Sequence, residues 1–308
     1  MKLISDIKLS FNSNIILLMS ATLYTCIICL ATLAFNLTTR TLNAPNLSIG
    51  GLMVTGSYLT AILTVGFRIP VYTSILYVSI IGALINLVVY ELVFHWLLHW
   101  HRKPILIAIA TLTFGLLLSE VMSFTGYLYV EWRQAYPFPF IIKEYDITFG
   151  QINGVLVVST ILTVTIYLLT RLLLQKTGLG VRLLAFSETN ELVKTQGISS
   201  DRLYSNVWLV SGGLACLAGG LYPLYFSIIP SYAFDLLISV LAVSLLGGMG
   251  SIMGGFYGCI AAFIEIVLTV MIQRVFGTEW GELRLLIPLL IIILVLMFRP
   301  KGITGESI

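Results

Sequence analysis

The chain has 308 residues, of which 58% are hydrophobic and only 10% charged, and its mean hydropathy is +1.00. Soluble domains carry about 25% charged residues, so no separate soluble domain of ordinary size is expected, and residues 1–308 read as one polytopic domain. The net charge of +3 is small and dispersed, which excludes the basic patch that nucleic acid requires.

A helix that crosses a bilayer needs about 20 mostly apolar residues. Met1–Asn14 is polar, and the apolar run Ile15–Leu37 that follows is too long for the core of a cleavable signal, so none is expected. Cys26 and Cys29 form C-x-x-C inside this run, with no βαβ context, and read as buried thiols. The second and third spans are Asn46–Val65 and Val71–Leu97. Glu91 and His95 stand four apart and can pair. His95 and His99 are also four apart, with His101 close by, a spacing that suits zinc. Residue 96 is Trp where a metalloprotease helix needs Glu, and histidine also suits a helix C-terminus, so no metal site is expected.

The fourth span is Pro104–Phe124. The outer loop 126–150 follows, with Tyr127, Tyr129, Trp132, Tyr136 and Phe138. Such aromatics anchor at the headgroup level. Glu131, Arg133, Lys143, Glu144 and Asp146 add charges that could set register with a docking partner. Ile152–Leu174 is the fifth span, and the polar loop 175–202 comes next. Leu203–Ile229, Phe234–Leu246, Gly254–Ile272 and Leu283–Phe298 complete eight to nine crossings. Phe234–Leu246 is short and ends in LLGGMGS, which leaves a full crossing, a re-entrant segment or a broken helix open. With nine spans and a cytoplasmic C-terminus, ten of the 17 Lys and Arg residues fall inside and seven outside, which puts the N-terminus outside.

Gly250, Gly254 and Gly258 are spaced by four, as are Gly212, Cys216 and Gly220. Such ridges let helix backbones approach closely, or wall a path with backbone. The GGMGSIMGG run lacks the strand and the acid of a dinucleotide-binding turn. Cys216 and Cys259 read as packing residues. Glu265 is the deepest charge, flanked by Ile264 and Ile266, and must face protein or water, as a helix anchor or in a conduction path. Glu120 and Asp235 are expected nearer the outer face, in contact with water.

The loop 175–202 has a pattern of its own. Val181, Leu184 and Ala185 fall at helical spacing. Ser187 can cap a second short helix that starts at Glu188, with Lys194 near its end and Gly197 where a C-terminal cap belongs. Two such short helices are unstable alone in water, so a partner groove is expected to complete them. The chain has no G-x-x-x-x-G-K-[ST], so ATP hydrolysis, and any nucleotide cofactor, is expected in a partner.

Five stretches then line up: NAPNLSIGGLMVTGSYLTAIL (43–63), GLGVRLLAFSETNELVKTQGISSDRL (178–203), SGGLACLAGGLY (211–222), LLGGMGSIMGGFYG (245–258) and FRPKGITG (298–305). In that order and spacing they resemble the branched-chain amino-acid permeases of ABC importers, from about Tyr24 to Gly305. Members often have Asn-Phe-Ala-His-Gly where this chain has Asn46-Leu47-Ser48-Ile49-Gly50. The resemblance implies an all-α, type II ABC importer-like permease of a prokaryotic inner membrane. It implies two ABC ATPase subunits, a second permease and an extracytoplasmic solute-binding protein as partners, with leucine, isoleucine or valine as cargo. Urea or short amides are alternatives within the family, and an ion-coupled secondary transporter lies outside it. The ATPase-coupling candidates are Arg182, Glu188, Asn190, Glu191 and Gly197. The pathway or packing candidates are Asn46, Gly50, Gly250, Gly254, Gly258 and Glu265. No catalytic residue, metal or cofactor is expected.

Overall fold

No Gly or Pro interrupts residues 2–42, and the computed structural model shows them as one helix, α1, Lys2–Leu42. The structure describes residues 2–100, 103–133, 141–150, 152–178, 180, 200–277, 281 and 284–304. The polar stretch before Ile15 is therefore helical rather than a separate tail. Asn43 stops the helix at φ 51°, a left-handed conformation that Asn tolerates, and Pro45 follows.

The remaining helices are α2 (Ile49–Ala61), α3 (Val71–Val89), α4 (His95–Trp100), α5 (Pro104–Arg133), α6 (Gly154–Lys176), α7 (Ser200–Leu221), α8 (Tyr232–Gly247), α9 (Ile252–Phe276) and α10 (Leu286–Phe298). A π turn, Ile62–Gly66, extends α2, and another, Tyr90–Phe94, joins α3 to α4. A two-residue hairpin lies before α6, pairing β1 (Thr148–Phe149) with β2 (Ile152–Asn153), Thr148 opposite Asn153.

Seven stretches are long and apolar enough to cross a bilayer, while α8 with 16 residues and α10 with 13 are shorter. At 1.5 Å per residue these two reach about 24 and 20 Å, against about 30 Å of hydrocarbon. The expected span Leu203–Ile229 ends early, at Leu221, because Pro223 has no N–H to continue the helix. The expected span ending at Phe124 runs on to Arg133, so the first part of the outer loop is helical.

α7 and α2 are the most enclosed helices. They cross where glycine replaces side chain with backbone: a Cβ on Gly56 would occupy the Cys216 backbone, and one on Gly219 the Met53 backbone. Ser57 Oγ donates to the Gly219 carbonyl across this contact at 2.7 Å. The ridge of Gly212, Cys216 and Gly220 thus packs against α2 and α3, with Gly212 against Gly82 and Asn86. Gly56→Val is expected to cost about 3 kcal/mol or more, the upper range for overpacking, since backbone rather than a rotamer must move. Thermal unfolding in detergent reads this, and an unchanged midpoint would show that the helices part freely.

Cys29 and Cys259 form a disulfide between α1 and α9, with Cα atoms 5.7 Å apart, while Cys26 and Cys216 are thiols. This corrects the reading of all four as packing thiols. The partners lie 230 residues apart, and only the pairing of α1 with α9 brings them together. Outward faces of α3, α6, α9 and α10 expose Leu84, Ile161, Ile260 and Ile293, an apolar surface suited to lipid.

Candidate functional site

The break between α1 and α2 is buried and internally hydrogen-bonded. Asn46 Oδ1 accepts from Ser48 N at 3.1 Å and from Ser48 Oγ at 2.7 Å. Leu47 N donates to Thr111 Oγ1 of α5 at 3.1 Å. Asn46 Nδ2 is buried with no protein partner among the described residues. Two residues into α2, a Cβ on Gly50 would meet the Ala233 carbonyl of α8. Asn46 and Gly50 therefore hold the start of α2 against both α5 and α8.

A second break joins α8 to α9. Gly248 and Gly250 adopt φ of 111° and 79°, left to glycine because a Cβ would clash. Ser251 caps α9, accepting from Gly254 N at 3.1 Å. Beyond the turn, Gly254 lies against the Gly247 carbonyl and Gly258 against the Val243 carbonyl. Gly250 is thus not part of the expected ridge: it belongs to the turn, and the ridge is Gly254 and Gly258 alone. Asn36 of α1 braces this turn, donating from Nδ2 to the Ser251 carbonyl at 2.8 Å and accepting from Ser244 Oγ at 2.6 Å. The C-terminal segment closes over it. Ile303 N donates to the Leu246 carbonyl at 2.8 Å, and Thr304 Oγ1 to the Gly247 carbonyl at 2.9 Å.

Glu265 faces protein. Its Oε1 accepts from Tyr24 OH at 2.7 Å, Ser239 Oγ at 2.9 Å and Arg284 Nε at 3.4 Å. Arg284 also donates to Tyr222 OH at 3.4 Å and stands 4.8 Å over the Tyr24 ring. The glutamate side chain is 2% exposed and the arginine 24%. One carboxylate so joins α1, α8, α9 and the segment before α10. Sequence reading finds Glu265 but not its partner: Arg284 stands at the start of the expected span Leu283–Phe298 and counts only among the seven outer charges. Two opposite charges on neighbouring apolar segments are the signal that points to the pair.

The coupling candidates Arg182, Glu188, Asn190, Glu191 and Gly197 lie outside the described residues. What flanks them is described. At the start of α7, Asp201 Oδ2 lies 3.8 Å from His95 Nε2, and Ser205 Oγ donates to Glu91 Oε1 at 2.6 Å. The expected Glu91–His95 pair is therefore replaced by two links to α7, one from the π turn after α3 and one from the start of α4. Among the described residues no cluster of three or more His, Cys, Asp or Glu could hold a metal ion. At the opposite end of the bundle, Asp146 accepts from Tyr72 OH and from Val155 N, and Ile142 N donates to the Pro223 carbonyl at 2.9 Å. Lys143 Nζ sits 5.1 Å above the Tyr225 ring. Residues 142–146 of the outer loop are thus packed onto the ends of α3, α6 and α7.

Apolar spans joined by two buried glycine- and asparagine-rich breaks, with a buried carboxylate–guanidinium pair, are the build of a polytopic membrane transport protein. The chain belongs to the family described as branched-chain amino acid transport system / permease component, whose model matches residues 17–296. It is 31% identical over 290 residues to the probable branched-chain amino acid transport permease protein LivH of Methanocaldococcus jannaschii, covering 94% of this chain and 92% of that protein. It is 28% identical over 136 residues to the high-affinity branched-chain amino acid transport system permease protein BraD of Pseudomonas aeruginosa, covering 44% of this chain and 42% of that protein. Among solved structures it resembles PsaBC from Streptococcus pneumoniae in complex with Fab, with a TM-score of 0.51, 14% identity and 92% of both chains covered. At that identity the likeness concerns the fold alone.

Proposed function

We propose that this chain is the membrane-spanning permease subunit of an ATP-driven importer of branched-chain amino acids, working with two ATPase subunits, a second permease and an extracytoplasmic binding protein. The observation that carries the reading is the match to a branched-chain amino acid transport permease across 94% of the chain. The packed glycine turn at 247–258 and the loop 175–202 supply the mechanics. In this reading the loop docks on an ATPase, and the links of Asp201 to His95 and Ser205 to Glu91 pass its displacement from α7 to α4 and to the π turn that continues α3. The face that carries the loop is cytoplasmic, and the face of Asp146 and Arg284 is outside.

Reconstitution tests this. The complete complex in liposomes is expected to take up leucine, isoleucine or valine only with ATP and binding protein together. The purified chain alone is expected neither to hydrolyse ATP nor to accumulate amino acid under a proton or sodium gradient. Gradient-driven accumulation by the single chain would replace the importer with a secondary transporter, and uptake of urea or short amides in place of leucine would change the cargo.

A further inference from the structure

Glu120 is a charge that the fold leaves uncovered. The apolar span of α5 is Pro104–Tyr129, about 39 Å long at 1.5 Å per residue. Glu120 lies about 24 Å along it from Pro104, within a hydrocarbon core about 30 Å thick. The expectation that it sits near the outer face assumed a helix ending at Phe124, whereas α5 continues to Arg133. α5 meets the rest of the chain through one face, where Thr111 and Gly115 pack on the Asn46–Ser48 segment. Away from that face, Leu116, Leu117, Val121 and Phe124 are exposed, and Glu120 is exposed among them. No hydrogen bond or ion pair holds it among the described residues. The other acid at mid-span, Glu265, is enclosed and paired. The uncovered mid-span faces of α3, α6, α9 and α10 carry no charged side chain among the described residues.

A carboxylate facing acyl chains at this depth is costly, and such groups instead face a protein interior or a water-filled cavity. We propose that the Glu120 face of α5 walls a water-filled path closed on its far side by a second permease subunit, and that the Glu120 carboxylate takes the ammonium group of the amino-acid cargo in transit. A neighbour that reaches this depth must itself span the membrane. One that leaves water beside a carboxylate is another transport wall, not a packing helix. An aliphatic amino acid crosses as a zwitterion. Glu120 offers its ammonium an opposite charge, and Leu116, Leu117 and Phe124, three or four residues away on the helix, offer its side chain an apolar surface. A single exposed carboxylate binds loosely, as transit requires: favourable enough to enter, weak enough to leave.

The cargo and the second permease rest on the importer reading, while the placement of Glu120 beside water does not. The assembled complex is reconstituted with Glu120→Cys in a Cys26→Ser, Cys216→Ser background, with Leu84→Cys on α3 and Ile161→Cys on α6 as lipid-facing controls. Thiols react as thiolates, which need water, so a membrane-impermeant sulfonate reagent is expected to modify E120C at least about tenfold faster than either control. Leu117→Cys and Phe124→Cys, one turn to either side, give the same reading if E120C fails to assemble. Glu120→Gln is expected to lower leucine uptake by about tenfold, the scale of one charge-assisted hydrogen bond, with ATP hydrolysis stimulated by binding protein retained. Glu120→Asp is expected to keep most uptake. Labelling only by a lipid-soluble maleimide would overturn the water-filled path. Uptake by E120Q at the unmodified level would overturn the carboxylate's role. Labelling is read without cargo or ATP, so the importer reading can fail, by absence of ATP-dependent uptake in the unmodified complex, while the labelling result stands.

Discussion

Replacing Arg284 with Met while Glu265 remains is expected to destabilise the protein by about 3 kcal/mol, the low end of the range for breaking a buried ion pair. The low end applies because Arg284 keeps 24% exposure, so water already screens part of the interaction. The loss comes from Glu265, whose buried Oε1 would keep Tyr24 and Ser239 as donors but lose its cation. Glu265→Gln is expected to be milder, since an amide oxygen still accepts from Tyr24 and Ser239. Glu265→Leu is expected to be worse than Gln, because it removes the acceptor that Tyr24 and Ser239 share and leaves them only the Ser239 hydroxyl and the Asp235 carbonyl. The double variant, Glu265→Leu with Arg284→Met, is expected to be more stable than the sum of its parts, as neither charge is then left alone. Thermal unfolding of the purified protein in detergent measures all four. Additive effects would show that the two residues do not act as a pair.

Disabling the loop 175–202 is expected to abolish transport without affecting membrane insertion. From the sequence pattern Gly197 is expected to cap the C-terminus of the second short helix at positive φ, which a β-branched residue tolerates poorly. Gly197→Val is therefore expected to misdirect the exit from the loop, and Glu188→Lys to reverse the charge where a second short helix is expected to start. Neither touches a spanning segment. Both should reach the membrane at normal levels, yet lose ATPase co-purification or uncouple hydrolysis from uptake. Normal assembly and uptake in both variants would make the loop a passive connector. Asp201→Asn with Ser205→Ala probes the step after it, by cutting the links to His95 and Glu91. Those variants are expected to keep ATPase binding and reduce uptake.

Much of this architecture is legible in the residues alone. Nearly uninterrupted apolar runs can satisfy their backbone in lipid only as helices, so the all-α polytopic class follows from composition and run length. The glycine cluster LLGGMGS marks the end of the short span Phe234–Leu246 in the sequence itself, though it does not tell that Gly250 belongs to a turn rather than to a ridge. Pro223 is a stop of the same local kind, masked in the hydropathy because the apolar character continues to Ile229. The order and spacing of the five stretches pointed to the family, which the match over residues 17–296 establishes.

What only the tertiary structure decided is which residues meet. Glu265 reads as a lone acid until α9 is packed beside the segment before α10, and only then does Arg284 become its partner. Cys29 and Cys259 look like inert thiols because nothing local relates residues 230 apart. Gly250 fits a four-residue ridge by spacing, but it lies in a turn before the helix starts, where spacing by four has no geometric meaning. Glu120 is the reverse case. Its depth follows from the length of α5, and its exposure follows from which side of that helix α2 covers, a choice made by Gly115 and Thr111 against the Asn46–Ser48 segment. Hydropathy is a sum along the chain, whereas partnership is a matter of distance across it, and only folding converts one into the other.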